Sequence, residues 1–500
     1  MSIFIYNSLS GKKEEFLPIK AGKVNIYTCG VTVYDESHIG HARSLYIFDC
    51  FHRYLKYRGF DVNFVRNITD IDDKIINRAK ESKIGWQDLV KKCIDRYYED
   101  LKALGIEKAD SEPRATENIP DMIKAITTLI KKGYAYVTDT GVYFSVRKFK
   151  DYGKLSGQSI EQMLTGTRKE PDETKEDPLD FALWKISKPD EPFWDSPWGK
   201  GRPGWHIECS VMSQKFLKTD TLDIHAGGRD LIFPHHENEI AQAEALTGKP
   251  FAKYWMHHGL LTINGHKMAK SLGNFITIRD FLKNEPSYKL KLIFISAHYR
   301  SPLDYNEKAI DIATANAETF DIFFRRVKGA KKNVNIHKEV EELKNKFIQA
   351  LDDDFNTPIA LSILLEMVSF GHKLIDQGNN EIALSISEVL RDLLVILNLG
   401  ELKELAEGIV GYDEIVNELG NLQQKYQRDF EVFKIPSVNL TNRSDEIKNY
   451  SNLKDLFNAL RNAARKSGNF SLADKIRADL ANTGIILEDT KEGTIWRRKI

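Results

Sequence analysis

Apolar and polar positions near the N-terminus alternate in blocks that predict a strand, a helix and a second strand. Val24 to Thr28 has the pattern of a short buried strand, and it ends at Cys29-Gly30. Apolar residues at helical spacing follow, with Ser37 as the predicted N-cap and Gly59 as the predicted stop. Val62 to Val65 predicts another strand. This order predicts a parallel βαβ unit, in which ligands bind at the carboxyl ends of the strands.

The pattern changes several times farther along the chain. Residues 134–200 combine short strands with a polar stretch, which predicts an insertion within the first domain. The strand pattern then resumes, with Leu222 to His225 as a strand and a helix that begins after Pro234. Residues 308–400 have a helical pattern, and residues 437–500 are predicted to form a small domain of their own.

Composition narrows the classes of protein that the chain can belong to. Its 500 residues are 42% hydrophobic and 29% charged, which is typical of a soluble globular protein of two to four domains. Its net charge is zero, although residues 437–500 hold twelve Lys or Arg against eight Asp or Glu. There is no signal-like N-terminus and no apolar run long enough to cross a membrane, so we expect a cytoplasmic protein with no membrane partner.

Four widely spaced cysteines argue against a disulfide framework: Cys29, Cys50, Cys93 and Cys209. Free thiols, a metal site and core packing all remain open for them. Cys50 and Cys93 lie in predicted helices and are expected to be structural. Cys29 and Cys209, taken singly, are each as well explained by a buried apolar thiol.

Two short motifs contain the residue types that phosphate binding needs. Residues 32–41 lead from a strand into a helix, whose free N–H groups and dipole attract phosphate. The residues available there for a nucleotide are Thr32, His38, Gly40 and His41. Far downstream, Lys267 and Lys270 are three apart on a glycine-containing loop and can reach a triphosphate. Either motif alone is often structural or a solvated surface, but the two together are far more specific.

The two motifs resemble the HIGH and KMSKS signatures of class I aminoacyl-tRNA synthetases, with Ala269 where the second signature usually has Ser. Four longer segments closely resemble those of cysteinyl-tRNA synthetases: CGVTVYDESHIGHAR, VRNITDIDDKII, GRPGWHIECSVM and FPHHENEIAQ. The resemblance covers almost the whole chain and is weakest at 401–450. It implies a ligase that uses ATP with Mg²⁺ to activate L-cysteine and then transfers it to tRNA-Cys. Members of this family are usually monomers.

The resemblance also implies the residues that do this work. It assigns one zinc ion in the amino-acid pocket to Cys29, Cys209, His235 and Glu239. It assigns the cysteine pocket to Gly30, Thr69, Trp205, His225 and Asp230. It assigns catalysis to His38, His41, Lys267 and Lys270. It assigns tRNA contacts to Trp496, Arg497 and Arg498, although a terminal basic segment of this kind is also typical of a solvated tail.

Zinc would explain how such an enzyme selects its substrate. Cysteine and serine differ by one atom, and a purely steric pocket discriminates such pairs poorly. Zinc prefers a soft thiolate to a neutral hydroxyl. The motif His235-His236-Glu237 also resembles half of a metalloprotease motif, but Ile240 stands where the second histidine would be needed.

The fold implied by the resemblance is an α/β Rossmann-type catalytic domain with an inserted subdomain, followed by an α-helical bundle and a small C-terminal anticodon-binding domain. The predicted division is a catalytic domain in two halves (1–133 and 201–256), an inserted connective subdomain (134–200), a stem-contact region (257–307), a helical bundle (308–400), a linker or helical extension (401–436) and an anticodon-binding domain (437–500). Two other functions compete with this one. A cysteine ligase for a small-molecule amine would lack the anticodon-reading end, and a non-catalytic synthetase-like tRNA-binding protein would have broken motifs.

Overall fold

The computed structural model describes residues 2–165, 174–269, 272–327, 337–402, 412–435, 446–483, 485–490 and 493–498. The chain divides into two compact units. The first is made of Met1–Asn316 and Ala330–Leu399, and the second of Ala317–Gly329 and Gly400–Ile500.

The first unit combines strands and helices. Its strands are β1 (Phe4–Asn7), β2 (Lys12–Glu15), β3 (Lys23–Thr28), β4 (Asp61–Arg66), β5 (Ala135–Val137), β6 (Gly141–Phe144), β7 (Phe181–Ile186), β8 (Gly201–Pro203), β9 (Leu222–Gly228), β10 (Ala252–His258), β11 (Leu261–Ile263), β12 (His266–Lys267) and β13 (Leu303–Tyr305). Its helices are α1 (Ile39–Tyr57), α2 (Asp73–Ser82), α3 (Trp86–Ala103), α4 (Ile119–Lys131), α5 (Ile160–Thr165), α6 (Trp205–Leu217), α7 (Glu237–Thr247), α8 (Ile278–Asn284), α9 (Ser287–Ser296), the first part of α10 (Glu307–Val327), α11 (Lys338–Asp352), α12 (Thr357–Asp376) and α13 (Asn380–Ile396). The rest of α10, from Ala317 onward, belongs to the second unit.

A parallel sheet lies at the centre of the first unit. Its strand order is β10-β9-β3-β4, so strands from both predicted halves of the catalytic domain pair in one sheet. The predicted βαβ unit is confirmed, because α1 connects β3 to its parallel neighbour β4. All seven residues of β9 are buried, as expected for a parallel strand covered on both faces. Asp223 and His225 are therefore polar groups inside the core.

The inserted segment forms a separate antiparallel sheet in the order β5-β6-β7-β8. Its last strand, Gly201–Pro203, lies just beyond the predicted end of the insertion at residue 200. A third sheet, in the order β12-β11-β13, follows the central sheet and contains Lys267 at the end of its hairpin.

Two predicted helix boundaries are wrong. The N-cap of α1 is His38 and not Ser37, because His38 Nδ1 accepts hydrogen bonds from the N–H groups of Gly40 and His41. The helix predicted to begin after Pro234 begins at Glu237, because residues 232–236 form a separate tight turn with a non-helical Phe233. His235 therefore projects from that turn, and Glu239 from the helix.

Helices α11, α12 and α13 form the predicted helical region of the first unit. The expectation that no apolar run is long enough to cross a membrane is wrong for α12, which meets that test by length and composition alone. Of its apolar window, 44% is buried inside the protein. A buried helix of a globular bundle has the same character, and α12 packs against α9, α11 and α13.

The second unit contains helices and one hairpin. They are α14 (Tyr412–Lys425), α15 (Gln427–Val432), α16 (Glu446–Lys466), α17 (Phe470–Asn482), β14 (Ile485–Thr490) and β15 (Gly493–Arg498). Its core contains Phe430, Phe457, Leu460, Ile476 and Leu487. The two strands pair in antiparallel register, with Leu487 opposite Trp496.

Candidate active site and metal centre

The predicted pocket residues gather at the carboxyl ends of the parallel strands. Cys29 and Gly30 follow β3, and Asn67 follows β4. The two segments pass so close that a Cβ at Gly30 would lie 1.6 Å from the Asn67 carbonyl oxygen, so a glycine is required there. Gly30 N also donates to Asn67 Oδ1 at 2.8 Å. This contact fixes the position of the adjacent Cys29.

Cys29, Cys209, His235 and Glu239 converge on one point, although they come from separate parts of the chain. Their ligand atoms all lie within 4.8 Å of one another. Cys29 Sγ is 3.8 Å from Cys209 Sγ and 3.4 Å from Glu239 Oε1, and His235 Nε2 is 2.8 Å from the same oxygen. Cys209, His235 and Glu239 are buried, and Cys29 is partly buried. The structure thus brings together all four residues that the resemblance implies as metal ligands.

The distances and chemistry of this cluster fit a zinc ion. A tetrahedral ion with Zn–S bonds of about 2.3 Å separates two sulfur ligands by about 3.8 Å, and the two thiols of the cluster have this separation. Two thiols, one imidazole and one carboxylate are donors that zinc accepts, and the pair of soft sulfurs disfavours Mg²⁺ or Ca²⁺.

The electrostatics of the cluster reflect strong mutual interaction. Burial and the hydrogen bond to Cys209 raise the pKa of the Cys29 thiol well above its usual range. Burial also disfavours the thiolate of Cys209, but hydrogen bonds from Cys29 and His235 outweigh it and lower the pKa to about 6. Burial opposes charge on His235, yet Glu239 and Cys209 raise its pKa to about 10. Burial likewise opposes charge on Glu239, but His225 and His235 hold its pKa well below its usual range.

Further histidines surround the cluster, and the sequence analysis did not predict a role for them: His206, His236 and His257. His206 Nδ1 is 2.8 Å from His235 Nδ1, and His236 Nε2 is 3.3 Å from Cys29 Sγ. Cys29, His225, His236 and Glu239 form a second set of donors within the same distance limit. The signal that could have marked these histidines is a polar ring inside an apolar segment, as at position 257 in the buried strand β10.

The other predicted pocket residues lie around the cluster in different ways. The Trp205 ring stacks on the His235 ring with centroids 3.9 Å apart, and Trp205 is 36% exposed. His225 Nε2 contacts the second oxygen of Glu239 at 2.7 Å, so His225 orients the carboxylate. Thr69 is buried and donates to Glu208 Oε2 at 2.8 Å. Asp230 is exposed, just after the carboxyl end of β9.

The first signature has its two histidines stacked at the start of α1. The rings of His38 and His41 have centroids 3.7 Å apart. His38 Nδ1 accepts two backbone N–H groups, and His41 Nδ1 accepts the N–H of His38 at 3.4 Å. Burial, together with the charges of His38 and Lys74, holds the pKa of His41 well below its usual range. Because both Nδ1 atoms accept hydrogen bonds, the neutral form of either ring has its hydrogen on Nε2.

The second signature lies next to the first. Lys267 is exposed on β12, and the methyl group of Met268 lies near Gly40 and the ring of His38. Asn274 bridges the loop, accepting from Ala269 N at 2.9 Å and donating to Lys267 O at 3.2 Å. Lys270 lies outside the described residues.

Thr32 and the C-terminal residues complete the predicted set. Thr32 pairs with Thr69 in an isolated bridge beside Gly30. Trp496, Arg497 and Arg498 lie on β15, opposite Leu487, Ile486 and Ile485. These three residues belong to the second unit, and the structure describes their backbone.

Comparisons with known proteins agree with this architecture. Residues 15–315 match the family described as the tRNA synthetases class I (C) catalytic domain, and residues 346–402 match the DALR domain. The curated Cysteine--tRNA ligase of Persephonella marina is 46% identical over 510 residues, covering 100% of both chains. That of Aquifex aeolicus is 46% identical over 517 residues, covering 100% of this chain and 99% of its own. That of Thermococcus onnurineus is 44% identical over 509 residues with the same coverage.

The chain is also similar in structure to the Mycobacterium tuberculosis methionyl-tRNA synthetase in complex with methionyl-adenylate. The TM-score is 0.60 at 12% sequence identity, over 77% of this chain and 93% of that one. At this identity the likeness shows the fold alone, and it confirms the predicted α/β Rossmann-type domain followed by a helical region. Because the catalytic-domain match covers more than half of the chain and the curated relatives match its full length, the chain belongs to the cysteine–tRNA ligase family of class I aminoacyl-tRNA synthetases.

Proposed function

We propose that the protein joins L-cysteine to tRNA-Cys in two steps, with a zinc ion at Cys29, Cys209, His235 and Glu239 selecting the substrate thiol. In the first step the cysteine carboxylate attacks the α-phosphorus of ATP, which is bound with Mg²⁺, and pyrophosphate leaves. In the second step the 3′-terminal ribose hydroxyl of tRNA attacks the acyl carbon and AMP leaves. The observation that carries the proposal is the buried convergence of two thiols, an imidazole and a carboxylate at the end of the parallel sheet.

The four ligands would select cysteine through the chemistry of sulfur. When bound, zinc supplies a Lewis acid that accepts a thiolate in preference to a neutral hydroxyl. His225 holds the Glu239 carboxylate from behind, and His206 fixes the ring of His235. Partners of this kind orient metal ligands and typically affect metal affinity by about 10–100-fold.

The remaining pocket residues would hold the rest of the amino acid. Trp205 covers His235 and is partly exposed, so it forms a wall between the cluster and solvent. Asp230 offers a carboxylate for the α-ammonium group. Gly30 and Thr69 bring backbone and hydroxyl groups to the same edge of the sheet.

The stacked histidines of the first signature would bind the phosphates of ATP as neutral donors. Their Nδ1 atoms are committed to the helix N-terminus, so each ring would offer its Nε2–H to a phosphate oxygen. The adjoining N-terminus of α1 adds a favourable dipole, and Thr32 and Gly40 lie on the same segment. Lys267 and Lys270 would approach from the second signature and neutralise charge that develops on pyrophosphate.

The tRNA would be read by the far end of the chain. Trp496 can stack on a base, and Arg497 and Arg498 can contact phosphates or base edges. All the proposed groups come from one chain, so a monomer is sufficient for the whole reaction. The monomeric state and the cytoplasmic location stay predictions.

The test is aminoacylation of bulk tRNA with labelled cysteine and, in parallel, labelled serine, before and after zinc removal by chelation. We expect charging by cysteine alone and its loss after zinc removal, with recovery when zinc is added back. Activation of cysteine without tRNA charging would instead indicate a ligase for a small-molecule amine. A protein that binds tRNA and activates no amino acid would be the non-catalytic alternative.

A matched pair of variants separates the zinc proposal from the overall reaction. Cys209→Ser should lose bound zinc and cysteine activation, because it replaces a soft ligand with a hard one. Cys50→Ala removes a thiol that is equally buried but lies on α1, outside the cluster, and should keep zinc. Atomic emission measures the zinc content of the two variants. Retention of zinc by Cys209→Ser would contradict the proposed ligand set.

A further inference from the structure

The segment that contains the second signature leaves the central sheet at a close crossing of two backbone segments. Gly259, between β10 and β11, donates its N–H to Tyr299 O at 2.8 Å, and Leu303 N donates to Leu260 O at 3.0 Å. A side chain at 259 has no room, because its Cβ would lie 2.2 Å from Ser301 O. The hairpin β11–β12, which ends at Lys267, therefore starts from a fixed point, where β11 also begins its pairing with β13.

The side chain of Arg43 binds both backbone segments at this crossing. It lies on α1 two residues after His41 and is fully buried. Its guanidinium donates to four backbone carbonyls at 2.7–3.4 Å, those of Gly259, Leu260, Tyr299 and Ser301. Burial lowers its pKa to about 10, so the group stays charged at neutral pH. One side chain of the signature helix thus holds the start of both β11 and β13.

Burying the charge of an arginine without a carboxylate partner costs free energy, so stability alone does not explain Arg43. No carboxylate among the described residues forms an ion pair with Arg43, so its charge is compensated only by the dipoles of the carbonyls. Only arginine can span these acceptors from one point, because its five donors form a rigid planar fork. The geometry it maintains is therefore a better reason for its presence than the stability it adds.

The far end of the same segment is also held by the first turn of α1. Ile39 N donates to Ile276 O at 3.1 Å, and Ile278 N donates to Ser37 O at 2.9 Å. The segment between these two anchor points includes Lys267 and the loop of the second signature. Helix α1 therefore holds both ends of that segment, one through its backbone and one through Arg43.

We propose that Arg43 is a positioning residue for adenylate formation, which sets the distance between Lys267 and the two histidines of the first signature. The inference rests on the proposed function, in which those residues bind the triphosphate from two sides. Arg43 acts through the hairpin and does not itself contact the nucleotide. Its replacement should slow activation and leave the affinity for cysteine unchanged, because none of the four proposed metal ligands lies on α1, β11 or β13.

The test compares Arg43→Lys, Lys267→Ala and the double variant by cysteine-dependent ATP–pyrophosphate exchange. Lysine keeps the charge but cannot hold four carbonyls, so we expect kcat to fall on the order of 100-fold, the loss that a misplacement of about 1 Å causes. The dissociation constant of cysteine, measured by calorimetry without ATP, should stay within about twofold. Because Arg43 acts through Lys267, the double variant should be no slower than Lys267→Ala alone.

Arg53→Lys is the matched control. Arg53 lies on the same helix and pairs with Asp49 and Glu107 away from the hairpin, so its replacement should leave exchange unchanged. Where Arg43→Lys does not fold, Arg43→Gln supplies the same comparison, because it keeps two donors without the charge. Folding is checked by the melting temperature of each variant.

Three outcomes would overturn the inference. If the losses of Arg43→Lys and Lys267→Ala multiply in the double variant, Arg43 does not act through Lys267. If cysteine affinity and kcat fall in parallel, Arg43 supports the fold in general. If Lys267→Ala exchanges at the wild-type rate, the proposed triphosphate site is wrong, and the inference fails with it; this result differs from the first two, in which Lys267→Ala is slow.

Discussion

Thr69→Val perturbs a buried chain of hydrogen bonds that connects the segments of both cysteine ligands. Glu208, next to Cys209, accepts from Thr69 Oγ1 at 2.8 Å, and Thr69 Oγ1 accepts from Asn67 Nδ2 at 3.2 Å. Asn67 in turn accepts from Gly30 N at 2.8 Å, beside Cys29. Valine has nearly the same shape as threonine and lacks the hydroxyl, so the substitution removes two hydrogen bonds and leaves the backbone in place.

The cost follows from what Glu208 loses. Its Oε1 already has no hydrogen-bond partner within the described part of the chain, and Glu208 is fully buried. Burial raises the pKa of Glu208 well above its usual range, and the bond from Thr69 opposes this rise. An unsatisfied buried polar group costs about 1–3 kcal/mol, and each lost hydrogen bond about 1 kcal/mol. We therefore expect the free energy of unfolding to fall by roughly 2–4 kcal/mol.

Urea unfolding followed by tryptophan fluorescence measures this loss, because six of the seven tryptophans belong to the first unit. Thr127→Val is the control: among the described residues its hydroxyl bonds to the carbonyl of Ile123 alone, within α4, so the loss there should stay below about 1 kcal/mol. The affinity for zinc at the proposed site should also fall in Thr69→Val, because Glu208 and Asn67 hold the segments next to Cys209 and Cys29. Wild-type stability together with wild-type zinc affinity would refute the view that this chain of bonds supports the site.

Three further predictions address other parts of the molecule. Burial raises the pKa of Asp100 to about 6, so its carboxyl group binds a proton more tightly in the folded state than in the unfolded state. The protonated carboxyl group therefore adds stability at low pH, and this stability is lost as pH rises from about 4 to about 6. Asp100→Asn should flatten this part of the stability–pH profile by up to about 3 kcal/mol, and an unchanged profile in urea titrations would contradict the assignment. Lys270→Ala should slow single-turnover adenylate formation far more than it weakens cysteine binding, and an unchanged rate would remove Lys270 from the site. Replacing Arg497 and Arg498 together with Ala should reduce tRNA charging and leave ATP–pyrophosphate exchange intact, whereas equal loss of both would indicate a folding defect.

Local patterns were sufficient to predict the elements that position the site. The strand before Cys29, the helix after it and the next strand all follow from short apolar runs with clear ends. Serine is a common N-cap, so the sequence predicts Ser37, and no local signal indicates that the ring of His38 accepts the N–H groups of the first turn. The tight turn before Glu237 was missed for the same reason, since the apolar spacing continues through it.

The metal cluster could not be predicted from spacing, because its members approach only through the parallel sheet. Cys29 and Cys209 are 180 residues apart, and no periodicity connects them. The resemblance to a known family supplied this set, and the structure brings its members together. His206 and His236 lie beside residues that the resemblance named, yet their contacts depend on ring orientation, which a sequence pattern does not contain. The contacts of Arg43 could not be predicted either, because its four acceptors are backbone carbonyls and every residue has one.

The four proposed ligands are far apart in the sequence, and this separation has a consequence for the synthesis of the protein on the ribosome. Cys29 and Glu239 are 210 residues apart, and the ribosome adds about 5–20 residues per second, so about 10–40 s pass between the synthesis of the first donor and the last. During this time the nascent chain presents Cys29 as a lone thiol, open to oxidation or to a stray copper ion. If the four residues hold zinc as proposed, the metal can be loaded only after the sheet has closed, late in translation.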